Sequence, residues 1–207
     1  MSKRRTKKAA LPSRHDVLVE LHSIAGTPEA DKLIADFDAQ GLGNWVTGLR
    51  QIFRDIEHER SVGAWEDRHT NQHAVWLNTM DAAQQYVNQL WADLGYSAPP
   101  VVTPLTAEEI EERPNLVAAA NEKEILLLGD GAKANLDTVI CHEAAHVIVK
   151  RLGICDRHGP NWLGVYLSLL ERLGRFDMAA LKESAEAAGL KWAPPPIASE
   201  SLVAEAA

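Results

Sequence analysis

The residues His142-Glu143-Ala144-Ala145-His146, with His158 twelve positions further on, decide how the rest of the chain is read. On a helix, residues four apart lie about 40° apart around the axis and about 6 Å apart along it. His142 and His146 can therefore turn both imidazoles toward one metal ion, with Glu143 beside them to activate a water molecule. His158 would supply a third nitrogen and leave one position open, the arrangement catalytic zinc needs. The flanking Val139-Ile140 and Val147-Ile148-Val149 make the helix strongly apolar, so its histidines are expected at the edge of a packed core. Asn135 is expected to cap this helix. Gly153 should end it, and His158 would then arrive from a loop just before Gly159-Pro160, where a new helix starts.

The same residues could serve without a metal, as two core histidines paired with buried acids and a surface His158. A glutamate buried between them would cost several kcal/mol unless paired, and ligation of a cation removes that cost. Cys141 reads as a small core residue. Cys141 and Cys155 are too few for a disulfide framework and lack the CxxC spacing of a cysteine metal site.

Before the motif, residues 116–120 and 125–128 are two short extended runs around Asn121-Glu122-Lys123-Glu124, read as a hairpin. Val101-Val102-Thr103, after the break at Pro99-Pro100, is a further strand, and Thr106 starts a short helix ended by Pro114. Residues 65–94 give one long helical pattern with Val75, Trp76, Met80, Ala83, Tyr86, Val87, Leu90 and Trp91 as an apolar stripe. His69 and His73 are also four apart, but no acid stands beside them as Glu143 does, and they are not expected to bind metal.

Three helices are expected nearer the start. One is opened by Ser13 and Asp16 and ends near Gly26; one is capped at Thr27-Pro28-Glu29 and stopped by Gly41; one runs from Asn44 through Ile56. After the motif, residues 177–188 form a helix closed by Gly189. The resulting division is a disordered basic tail (1–12), a helical region (13–62), a catalytic domain (63–190) and a disordered tail (191–207).

A net charge of −8 over 207 residues argues against a general nucleic-acid binder. The basic run Lys3, Arg4, Arg5, Lys7 and Lys8 is expected to be a solvated tail, with at most weak contacts to nucleic acid or an acidic partner. No apolar run approaches a membrane span, and no signal-peptide core follows the basic start. A cytoplasmic protein without a membrane partner is expected.

Residues 142–173 resemble the zincin metallopeptidases with a minimal catalytic core. His158-Gly159-Pro160-Asn161-Trp162, with Tyr166, Leu169 and Leu170 downstream, is similar to two groups. One is the SprT-like metalloproteases, with HExxH and a later HGxxW or HGxxF. The other is a set of small metallohydrolases of actinobacteria and their phages, with HGPxFxxxYxxLL; Trp162 stands where that group usually has Phe. Asp67-Arg68 and Val75-Trp76 are similar to the opening of the second group. No zinc-ribbon cysteines follow, so DNA-linked substrates are not supported.

The resemblance implies His142, His146 and His158 as zinc ligands and Glu143 as general base. It also implies a small sheet over residues 116–128 whose edge strand takes a peptide substrate by strand addition. Because many zincins use a downstream glutamate, Glu171 is a rival third ligand, although its helical face reads as exposed. Tyr166 is a candidate donor to an oxyanion, or else a core residue. Asp156 would either orient a histidine or lie on the loop surface. The chain is thus expected to be a helix-rich α+β protein with a zincin-like catalytic domain, hydrolysing peptide or protein substrates with zinc. The alternatives are a metallohydrolase acting on a small amide and an inert metal-stabilised binding protein.

Overall fold

The computed structural model of the chain describes residues 14–112, 116–130, 135–154 and 156–196. The basic run at residues 3–8, Ser13, Pro114, Cys155 and the end from residue 197 lie outside them. The described residues form a helix-rich α+β structure with a small mixed sheet. None of their helices is long and apolar enough to cross a membrane. The chain divides into two compact units at residue 60.

The first unit holds α1 (Arg14–Ile24), α2 (Pro28–Ala39) and most of α3 (Gly43–His69). Its core is Leu21, Ala25, Ala30, Leu49, Phe53 and Ile56. The Arg60 guanidinium donates to the carbonyls of His22 and Ala25, the end of α1 where unpaired acceptors favour a cation. Thr27 precedes α2 as expected, but its hydroxyl donates back to Ile24 instead of capping the new helix.

The helix expected to stop near Ile56 continues as α3 to His69, and the long helix expected over residues 65–94 is two elements. Nothing between Ile56 and Trp65 breaks a helix except Gly63, which costs only about 1 kcal/mol relative to Ala. After α3 come a 3-10 turn (Asn71–His73) and an extended strap, in which Trp76 faces Leu136 across an antiparallel bridge. The strap is fastened by Leu77 N–H to Asn135 (2.9 Å) and Asp137 N–H to Val75 (3.0 Å). Asp137 also accepts from Val75 N–H and holds Arg175 through both oxygens at 2.6 and 2.7 Å. Val75, Trp76 and Leu77 fit a helical stripe by spacing, yet pairing with residues 135–137 keeps them extended. Thr79 then caps α4 (Met80–Leu94), accepting from Ala82 N–H.

The sheet consists of β1 (Val101–Pro104), β2 (Ala118–Ala120) and β3 (Glu124–Leu127) in the order β1-β3-β2, with β1 parallel and β2 antiparallel to β3. The expected hairpin is present, its turn closed by the Asn121 side chain accepting from Lys123 and Glu124 N–H. Ile125 and Leu127 alternate inward and are fully buried. Between β1 and β2, α5 (Ala107–Glu112) starts at a reciprocal capping box of Thr106 and Glu109.

The motif helix α6 (Asp137–Arg151) is packed by α4, α7 (Pro160–Arg172) and the sheet. A helix apolar on nearly every face belongs in such a central place: Ile140, Cys141, Ala144, Ala145 and Val147 are fully buried. Its N-cap is Leu136 without a side-chain cap, not Asn135. The bridge to Trp76 holds Leu136 extended, so the helix begins one residue later than expected. The last helix, expected over residues 177–188, is α8 (Met178–Ala187), capped by the Asp177 side chain and tied to α3 by Trp65 Nε1–H donating to Ser184 at 2.9 Å.

Residues 191–193, expected to open a disordered tail, instead pack on α7, where Ala193 N–H donates to Pro160 at 2.9 Å. Gly164 makes this possible, since a Cβ there would sit 1.8 Å from the Ala193 carbonyl oxygen. Gly164→Ala should therefore cost about 1–3 kcal/mol, whereas Gly63→Ala, meeting no described atom within 4 Å, should stabilise by about 0.5–1 kcal/mol. Urea unfolding midpoints of the two variants will check the opposite signs.

Candidate metal centre

His142 and His146 stand one turn apart on α6, and the loop after Gly153 brings His158 against them just before α7. The three Nε2 atoms form a nearly equilateral triangle: 3.2 Å from His142 to His146, 3.1 Å from His146 to His158 and 3.1 Å from His158 to His142. Three nitrogens held about 2.0–2.1 Å from one tetrahedral ion are about 3.3 Å apart, so the donor set fits a metal. An imidazole nitrogen carries either a hydrogen or a lone pair. Among three that face one another, at least two must be of the same kind, and a shared cation lets all three present lone pairs. Among the described residues this is the one group of three or more His, Cys, Asp or Glu side chains close enough to hold an ion.

Glu66, near the end of α3, fixes the orientation of the first ligand. Its Oε1 lies 2.7 Å from His142 Nδ1. A proton on Nδ1 shared with the carboxylate leaves the Nε2 lone pair for the ion. Burial alone would lower the His142 pKa, but the charge and hydrogen bond of Glu66 outweigh it and raise the pKa to about 9. His146 has no such partner. Burial, then the neighbouring His142, His158 and Lys150, lower its pKa and keep it in the neutral form that binds metals.

Trp162 is the common support. Fully buried, it lies against all three imidazoles, with ring centroids 4.7 Å from His142, 5.3 Å from His146 and 4.6 Å from His158. Its indole N–H donates to the His142 carbonyl at 3.3 Å. Tyr166 stacks on Trp162 and is also fully buried. Its hydroxyl, the expected donor to an oxyanion, is engaged with Thr70 at 3.3 Å. Burial, and then the Glu66 charge, push the Tyr166 pKa well up, so the phenol stays protonated.

Glu143 is 6 % exposed and, with His142, lies at the floor of a cleft of about 650 Å³. Burial raises its pKa to about 7 against the opposing charge of His142. One wall of the cleft is the end of α3 and the strap, through Glu66, Asp67 and Trp76. The other is Leu116, Val117 and Ala118, leading into the edge strand β2.

The remaining sequence candidates lie elsewhere. Glu171 is on the exposed side of α7 and outside the cluster. Asp156 is half-buried and serves the start of α7, accepting from Asn161 N–H at 2.8 Å. Gly159 is required beside it, because a Cβ would fall 2.7 Å from Asp156. His69 lies near Trp65 and His73 near Phe176, and the two join no metal-binding group. Cys141 is a core residue, with its sulfur 3.3 Å from the Tyr86 hydroxyl.

Glu66 was not anticipated from the sequence. Its signal is an acid set among Val62, Trp65 and Thr70, all buried on one face of α3. Glu66→Ala should weaken metal retention about 10- to 100-fold, His158→Ala should weaken it more, and Glu171→Ala should leave it unchanged. Competition with a chromophoric chelator measures all three. Comparisons of the chain with protein-family models, with curated proteins and with solved structures return no match.

Proposed function

We propose that this protein is a zinc-dependent hydrolase that cleaves peptide bonds, and that residues 61–196 are a zincin-like catalytic domain. The observation that carries the proposal is the triangle of Nε2 atoms with Glu143 beside it at the floor of an open cleft. Three imidazoles without a thiolate suit zinc among the common ions. Zinc bound there would polarise a carbonyl and lower the pKa of a water molecule toward neutrality.

The chain's own residues supply the rest. Glu143, with a pKa near neutrality, accepts a proton as water oxygen bonds to the peptide carbonyl carbon. It returns that proton to the amide nitrogen as the carbon–nitrogen bond breaks, leaving a carboxylic acid and an amine. Glu66 holds the His142 ring in register, and Trp162 fixes the planes of all three rings. Tyr166 is best assigned to supporting Trp162, on which it stacks, since its hydroxyl is already engaged with Thr70. β2 is an edge strand, and although Lys150 donates to its Ala120 carbonyl, a sheet edge favours a peptide over a small amide, because it offers main-chain hydrogen bonds to an extended chain.

Elemental analysis of gently purified protein should find about one zinc per chain. Glu143→Gln should retain that zinc and lose peptidase activity by about 10²- to 10⁴-fold. Full activity in this variant would sink the hydrolase reading, and absence of metal from the native protein would sink the zinc centre.

A further inference from the structure

Trp76 is one of the few large apolar side chains left exposed in the second unit: 46 % of its surface is open. It lines the cleft that leads to Glu143 and His142. It is also held rigidly. Trp76 opposes Leu136 across the bridge, and the bonds at Val75 and Leu77 bracket it. In that pattern the N–H and C=O of Trp76 point away from Leu136, leaving a second extended edge besides β2. The strap is anchored in turn by buried Asp137, with its double contact to Arg175. Val117, 43 % exposed, and Val139 of α6 line the same cleft. The charged residues that line the cleft are acids, Glu66, Asp67 and Glu143, beside the ligand His142.

We infer that Trp76, with Val117 and Val139, is the subsite that selects the substrate: an extended peptide with a bulky apolar residue beside the scissile bond and no acidic residue in the cleft. The inference rests on the peptidase reading and adds its specificity. A rigid aromatic wall binds an apolar side chain at little ordering cost. Among the described residues no Lys or Arg lines the cleft to pair with a carboxylate side chain. Main-chain pairing along β2 would set the register in which the apolar residue meets Trp76.

The test uses zinc-loaded protein and peptides of one length in which the residue flanking the cleaved bond is Phe, Leu, Ala or Asp. Phe and Leu should exceed Ala by about tenfold or more in kcat/KM, and Asp should be poorest. Trp76→Ala should reduce the Phe-to-Ala ratio to about threefold or less with zinc content retained, Trp76→Phe should keep most of it, and Val101→Ala, exposed on β1 outside the cleft, should keep all of it. Binding of fluorescently labelled peptides to zinc-loaded Glu143→Gln, with and without Trp76→Ala, gives a readout independent of turnover. Cleavage with a preference unchanged in Trp76→Ala overturns this inference and leaves the peptidase reading standing. Trp76-dependent binding without cleavage by the native protein overturns the peptidase reading and keeps the subsite. If no peptide binds or is cleaved, both fall.

Discussion

The 2.7 Å contact between Glu66 and Nδ1 of His142 is the constraint on which the site depends. It sets a carboxylate of α3 against an imidazole of α6 where both are largely shielded from water. A charge in such a place is tolerated only when it is paired and hydrogen-bonded. Glu66 is partnered by His142, so one buried acid fixes a tautomer and joins α3 to α6. Apolar packing alone could hold α6 centrally, but it could not decide which nitrogen of His142 faces His146 and His158.

Trp162 solves a different problem. Three imidazoles with their polar edges turned toward one point present their ring faces and carbon edges to the interior, and these need apolar contact. One indole meets all three, while its N–H finds a carbonyl on α6. The same side chain therefore fills volume and restricts ring rotation, the preorganisation a metal centre requires of its supports. Gly159 and Gly164 belong to this arrangement. The first lets the His158 loop close on Asp156, and the second lets residues 190–193 cover α7.

Two extended segments line the cleft, the residues leading into edge strand β2 and the strap through Trp76. Asp137 organises the strap side. It is the first residue of α6, where a helix end favours an acid, and it also accepts from Val75 N–H and pairs with Arg175. The start of the motif helix and the position of Trp76 are thus coupled through one side chain. In the proposed hydrolase, the base and the wall that meets the substrate would share that reference point.

The sequence by itself determined the ligand helix, the hairpin over residues 116–128, the strand at residues 101–103 and the helix starting at Pro160. Each of these is governed by local rules: helical spacing of the histidines, period-two burial of Ile125 and Leu127, an Asn-closed turn, and proline at a first helical position. The convergence of His158 with His142 and His146 was legible as an expectation from spacing. The break between α3 and α4, the late start of α6 and the packing of residues 191–193 were not, because each follows from a partner far along the chain: Leu136 for Trp76, Trp76 for the helix start, and Gly164 for Ala193. The role of Glu66 belongs with these. Seventy-six residues separate it from His142, and nothing in local periodicity distinguishes an acid that will meet a buried imidazole from one that will meet water. Only the tertiary structure decides that, since pairing across such a distance depends on which helix faces pack together.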